Sequence, residues 1–405
     1  MACGTPRLTA VNDRRLEGFP VPVIEVNEES SSARFVAAAR TSVAAFLVDS
    51  EGGHLSALTR VLTWAEFERQ FTYAAAADRS EQAEISTTAW SAVYGWFSNG
   101  GGEIYIVPVS ADDTAVNGTA QDDPRGLAAL ESVEVQIVVA PDLWNTPATA
   151  PARAAAIASH CARQGDRIAV LHLEKDAAPV VDAVKALGIG SEDLKFATVY
   201  HPWLNVQDPS DSSREIAVPP TGHVAGVWAR VDSERGVHKA PANEGLRGVL
   251  SLTLDVSDAE QGEWNDVGVN GLRTFRNSGI RVWGARTLAA SDASDVEHIY
   301  LNVRRTINFI KESIRQSTQW VVFEKNDDAL RTSVQTTVSN FLTSLWRRGA
   351  LVGATPDQAF FVRCDESNNS PEDVAEGKLT VDVGVAIVRP AEFVTFQVTQ
   401  TIDQS

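Results

Sequence analysis

Glu134-Val-Gln-Ile-Val-Val-Ala140, Arg167-Ile-Ala-Val-Leu-His-Leu173 and Lys195-Phe-Ala-Thr-Val-Tyr200 are three short apolar runs separated by Ala-rich segments near 149–164 and 176–187. Each run is rich in Val and Ile and too short to be a helix. None shows the strict polar–apolar alternation of a strand with one wet face. Near-continuous apolar runs are what strands covered on both faces look like, and such strands belong to parallel sheets whose crossover helices lie above and below. Residues 111–265 therefore read as an α/β unit with a largely parallel sheet.

Upstream, a strand is expected at about Thr41–Val48. Thr63-Trp-Ala-Glu66 is a capping box that opens a short helix carrying Phe67 and Phe71. A helix near Glu84–Ser98 places Ile85, Ala89, Val93 and Trp96 on one face, and Asn99-Gly-Gly-Gly102 turns the chain into a strand at Glu103–Val109. Downstream, Val206–Pro220 reads as a loop and the acidic run Asp255–Asp266 as a solvated turn. Val303, Ile307, Ile310 and Ile314 have helical spacing within Val303–Gln316, and Gln319–Phe323 reads as a strand. A long helix comes next at 328–348 with Leu330, Val334, Val338, Phe341, Leu342 and Leu345 as its apolar stripe. Arg347, Arg348 and Gly349 form its stop signal.

Both ends read as arms. Glu17-Gly-Phe-Pro-Val-Pro-Val-Ile-Glu-Val26 is held extended by its prolines. At the other end, Val394, Phe396 and Val398 alternate with Thr395, Gln397 and Thr399, which makes an amphipathic strand that must pair with some sheet. The local sequence alone points to a sheet of its own domain. No period of 20–50 residues recurs, which excludes a solenoid.

The chain has 405 residues, 44% of them apolar and 22% charged, with a net charge of −18. Such a composition suits two or three globular domains. The negative balance argues against a nucleic-acid binder and against a polybasic membrane-surface protein. Cys3, Cys161 and Cys364 form neither a disulfide framework nor a zinc spacing. No apolar leader and no run long enough to span a bilayer is visible, so a protein made in the cytoplasm without membrane insertion is expected.

No catalytic signature emerges. The chain has no G-x-S-x-G elbow, no H-E-x-x-H and no phosphate-binding lysine loop. His160, Cys161 and His172 fall inside an Ala-rich helix and a strand, where packing is the simpler reading. His223, Asp232 and His238 are the best metal or hydrolase candidates by residue type, although their spacing fits no defined zinc geometry. An α/β hydrolase built on these three stands as the alternative to a structural protein. No cofactor is expected.

A set of longer motifs remains. In order they are Val218-Pro-Pro-Thr-Gly-His-Val-Ala-Gly-Val-Trp-Ala-Arg-Val-Asp232, Arg235–Asn243, Gly279–Leu288, Asn302-Val-Arg-Arg305, Thr318-Gln-Trp-Val-Val-Phe-Glu324, Phe341–Leu351, Ala359–Asp365 and Arg389-Pro-Ala-Glu-Phe393. Together with Phe97-Ser-Asn-Gly-Gly101 before a strand, they resemble the contractile tail sheath family of contractile-tailed phages, R-type bacteriocins and phage-tail-like contractile injection systems.

The resemblance implies a mixed α/β, or α+β, fold with four parts. An N-terminal arm occupies 1–32, a conserved sheath core domain 33–110 and 266–388, a middle outer α/β domain 111–265, and a C-terminal arm 389–405. It implies a non-enzymatic subunit that stacks with itself as six-fold rings around an inner tube protein. Baseplate and tail-terminator proteins are implied as further partners, and contraction would start from a metastable extended state. Val21, Val23, Ile24, Val26, Phe393, Val394, Phe396 and Val398 then become strand donors to neighbouring copies, reversing the local reading of the terminal strand. Residues 265–350 hold 12 basic and 8 acidic residues, net +4, against −22 for the remainder. Lys325, Arg331, Arg347 and Arg348 are accordingly the tube-facing candidates. A non-contractile tail or ring component of the same machines is the other alternative.

Overall fold

A computed structural model describes residues 35–49, 57–73, 82–109, 126–208, 211 and 213–392, all within the unit Phe35–Ser405. The central element is a nine-stranded sheet. In chain order its strands are β1 (Ala44–Asp49), β2 (Thr59–Val61), β3 (Ile104–Val109), β4 (Ile137–Val139), β5 (Ile168–His172), β6 (Ala197–His201), β7 (Glu244–Gly245), β8 (Val269–Phe275) and β9 (Gly279–Val282). In space they run β7-β9-β8-β6-β5-β4-β1-β3-β2. The six from β8 to β3 are mutually parallel, and antiparallel strands close both edges. Every residue of β1, β4, β5 and β6 is buried, as their unbroken apolar runs require.

Strands β4, β5 and β6, from within 111–265, lie between β1 and β8 in one continuous sheet. The segment read as a middle domain shares a sheet and a hydrophobic core with the segments on either side of it.

The sheet and the C-terminal region are packed by helices that include α1 (Trp64–Gln70), α2 (Thr87–Ser98), α3 (Ala150–Gln164), α4 (Thr221–Arg235), α5 (Leu301–Ser317) and α6 (Asp328–Arg347). At the start of α1 the Thr63 hydroxyl accepts from the Glu66 amide at 3.2 Å. The Glu66 carboxylate accepts from Leu62 N at 2.8 Å, one residue earlier than a capping box requires. Helices α2 and α4 approach so closely that a Cβ on Gly222 would fall 2.1 Å from the Ala92 carbonyl, and one on Gly226 2.5 Å from that of Trp96. The glycines of the Val218–Asp232 motif thus serve close helix packing.

Three local expectations are corrected. Val206–Pro220 is not all loop, because Glu215–Val218 pairs antiparallel with Leu204–Gln207. The acidic run is not a solvated turn. It is a helix, Asp258–Asp266, opened by a full capping box at Ser257 and Glu260 and anchored by buried Trp264. Gln319–Phe323 is not a strand: Gln319–Val321 forms a 3-10 turn. No strand lies alongside to pair with it among the described residues, so its amides bond locally, Val321 N to Thr318 O at 3.0 Å and Val322 N to Gln319 O at 3.3 Å.

The order of strand addition reverses at β1, between β1 and β4, the place where open α/β sheets usually admit a ligand. Here it is filled. Buried Asp49 pairs with buried Arg153 at 2.5 Å, and Asp142 accepts from the Asp49 amide at 3.0 Å and the Ser86 hydroxyl at 2.6 Å. Burial, with the Asp49 charge second, pushes the Asp142 carboxyl up to about 7.

Candidate assembly site

A second hydrophobic core lies apart from the sheet. Val334, Val338, Phe341, Leu342 and Leu345 of α6 pack with Ile310 of α5, as the stripe on α6 predicts. This core is closed by an antiparallel hairpin, β10 (Phe360–Arg363) and β11 (Asp382–Val385). Alternation sorts the hairpin's faces. Phe360, Val362, Val383 and Val385 pack on the core, while Phe361, Arg363, Asp382 and Gly384 face away. The outward face is held by the Arg363–Asp382 pair at 2.8 Å and by the Phe361 ring, which crosses Gly384 where a Cβ would come within 2.1 Å. Gln335 of α6 donates to the Val362 carbonyl at 3.0 Å and fixes β10 to the helix.

Two strands leave two unpaired edges, and among the described residues no third strand joins this ladder. Beside β11 lies a groove of about 760 Å³ whose apolar lining includes Ile307, Ile310 and Ile314 of α5 with Val383 and Val385. The chain leaves this region along a fastened path. Leu351 bridges Ile387, and Asn302 donates to the Val388 carbonyl at 3.0 Å. Arg286 then grips Glu392 through a charged pair. Both partners lie in motifs singled out in the sequence, Gly279–Leu288 and Arg389–Phe393.

The second core and its hairpin fall in the second of two family matches. The phage tail sheath protein central domain matches residues 109–288, and the phage tail sheath C-terminal domain matches 294–401. The chain belongs to the phage tail sheath family. The tail sheath protein of Burkholderia phage BcepMu is 30% identical over 203 residues, covering 49% of this chain and 41% of that relative. That of Escherichia phage P2 is 27% identical, covering 44% of this chain and 43% of the relative. The matches thus span less than half of these curated relatives. Solved structures agree over much more of the length. A chain of the anti-feeding prophage baseplate has 30% identity and a TM-score of 0.72, covering 95% of this chain and 100% of that one. A chain of the PVC sheath complex, an extracellular contractile injection system in its contracted state, has 28% identity and a TM-score of 0.73, covering 96% and 99%.

Within this sheath-family fold the expected site residues are dispersed. The donor positions Val21, Val23, Ile24, Val26, Phe393, Val394, Phe396 and Val398 lie outside the described residues. Arg347 and Arg348 are exposed at the C-terminal end of α6. Lys325 is exposed beyond its N-terminal end, about 30 Å away for a helix of this length. Around Lys325 stand Glu324, Asp327 and Asp328. Arg331 is 12% exposed and already engaged by Asp328 and by Asn326, the latter at 3.2 Å. The four candidates therefore do not form one basic face, and only Arg347 and Arg348 stand together.

The hydrolase trio is not assembled either. His223 and Asp232 are nine residues apart on α4, half a turn out of phase and about 13 Å along the axis. Asp232 is committed to Arg305 in a buried two-point ion pair, at 2.6 and 2.9 Å. His223 is fully buried with neither ring nitrogen bonded, and burial lowers its pKa to about 4. Among the described residues no group of three or more His, Cys, Asp or Glu side chains could hold a metal. No helix among them is long and apolar enough to cross a membrane.

The Arg305 clamp was not legible as such. Arg305 also donates to the Thr41 carbonyl at 3.1 Å and lies over the Trp228 ring at 4.8 Å. The signal available in sequence was two adjacent arginines, Arg304 and Arg305, opening an otherwise apolar helical stripe.

Proposed function

We propose that this chain is a structural subunit of a contractile sheath, which polymerises with itself as stacked six-fold rings around an inner tube and contracts from a metastable extended state. The observation that carries the reading is the β10–β11 hairpin, a two-stranded ladder with unpaired edges beside a groove lined in part by Ile307, Ile310, Ile314, Val383 and Val385. From it the chain continues through Ile387 and Val388 to Glu392, held by Arg286, after which the sequence is amphipathic. The arms at 21–26 and 393–398 of neighbouring copies would add strands there, through backbone pairing that asks little of their side chains. Arg347 and Arg348 would face the tube. Baseplate and tail-terminator proteins would complete the particle, a phage tail or tail-like device assembled in the bacterial cytoplasm. The driving force would be burial of inter-subunit surface, without a nucleotide, cofactor or catalytic step.

The test is negative-stain imaging of purified assemblies from the full chain and from chains lacking 1–30 or 390–405. Striated cylinders from the full chain and none from either truncation is the expected result. Ordered contractile cylinders from both truncations would rule out the strand-donor arrangement, and smooth tubes from the full chain would identify a non-contractile component.

A further inference from the structure

The turn between α5 and α6 displays an aromatic side chain at a conformational cost. Phe323 has φ of 70°, in the left-handed region that bulky L-residues enter only at a steric cost. Its ring is fully exposed, and Val322 beside it is 65% exposed. The turn itself is firmly built. Trp320 and Val321 pack inward on the second core. Glu324 N donates to Val321 O at 3.1 Å, and the Asp327 carboxylate caps α6 by accepting from Leu330 N at 2.9 Å. Asn326 donates to the Lys378 carbonyl at 2.7 Å. One short segment thus sends two side chains into the core and holds the next two out in water. Neither strain nor exposure gains the isolated subunit anything.

We infer that Val322 and Phe323 form a docking knob for a second copy of this chain. The inference rests on the reading of the chain as a polymer subunit. Two observations favour another copy as the occupant. The Asn326–Lys378 bond ties the knob to the segment leading into β11, so it continues the surface proposed to take up neighbouring arms. With Arg331 and Asp328 paired to each other, its remaining charged neighbours Glu324 and Asp327 outnumber Lys325. The knob therefore stands at the acidic end of α6, opposite the Arg347–Arg348 end proposed for the tube. A rigid aromatic anchor presented by a constrained turn is the usual centre of an interface hot spot, with a larger polar rim around it.

The full-length chain carrying p-benzoylphenylalanine in place of Phe323 is assembled into particles and irradiated. The expected product has twice the chain mass, and both of its cross-linked peptides come from this chain. Cross-linking to a different protein, or no inter-chain product in assembled particles, overturns the inference while leaving the polymer reading intact. Failure of the unsubstituted chain to assemble overturns both. Phe323→Gly separates docking from folding: it relieves the strain, so the melting temperature of the subunit should hold or rise while the concentration needed for assembly rises about tenfold. Unchanged assembly of Phe323→Gly and Phe323→Asp would likewise dismiss the knob.

Discussion

Arg305, on the first turns of α5, closes on Asp232 near the end of α4 through two hydrogen bonds of 2.6 and 2.9 Å, with the side chains 3% and 2% exposed. The pair fastens the helix that begins the C-terminal region to the helix covering the nine-stranded sheet. Removing one partner strands a buried charge. Arg305→Ala or Asp232→Ala should therefore cost about 3–5 kcal/mol, more than the net worth of the pair. Chemical denaturation of the soluble subunit measures it. A loss below about 1 kcal/mol would show that the clamp is not closed in solution.

The α2–α4 contact is set by glycine. Gly222→Ala places a methyl group 2.1 Å from the Ala92 carbonyl, and Gly95→Ala places one 2.2 Å from the His223 ring. Backbone cannot yield as a side chain can, so Gly222→Ala should be the worse of the two, destabilising by about 1–3 kcal/mol. Thermal melts of the two variants against Gly102→Ala, where nothing lies within 4 Å, check the order.

Asp142 makes stability fall with pH. Burial raises its folded-state pKa from 3.8 to about 7. A carboxyl that binds its proton more tightly when folded favours the native state most below its unfolded value, and that advantage is lost as pH rises from about 4 through 7. Asp142→Asn can keep both bonds by turning its oxygen to the Asp49 amide and its amide to the Ser86 hydroxyl. Its melting temperature relative to the parent should rise between pH 5 and pH 7 and level off by about pH 8. A pH-independent difference would place the titration elsewhere.

Arg347 and Arg348 are solvent-exposed and make no ion pair among the described residues, so reversing their charge should leave subunit stability within about 0.5 kcal/mol. Arg347→Glu with Arg348→Glu should nevertheless impair assembly on tubes, with a salt dependence weaker than that of the parent. Co-sedimentation with purified tubes across a salt series reads both effects, and parental assembly by the double variant would remove these residues from the tube-facing surface.

Much of this was legible in the residues because burial writes itself into short-range pattern. The unbroken apolar runs of β4, β5 and β6 could only be strands covered on both faces, and the stripe from Leu330 to Leu345 had one possible inner side. Misreadings arose where a neighbour distant in sequence decided the outcome. Glu215–Val218 became a strand because Leu204–Gln207 was there to pair with it. Gln319–Phe323, with better strand residues, did not, because no described strand lay alongside.

The candidate site divides the same way. The alternation of the terminal segment, the basic helix end and the ordered motifs that carry the sheath resemblance are all local, and so the sequence by itself determined the family and the α/β class. Only the tertiary structure decided which charges are available. It spent Asp232 on Arg305 and Arg331 on Asp328, left Arg347 and Arg348 free of such partners among the described residues, and turned Phe323 outward. Sequence records what a side chain can do. Whether its charge is already neutralised, and whether its ring faces core or water, depends on partners that only folding brings within reach.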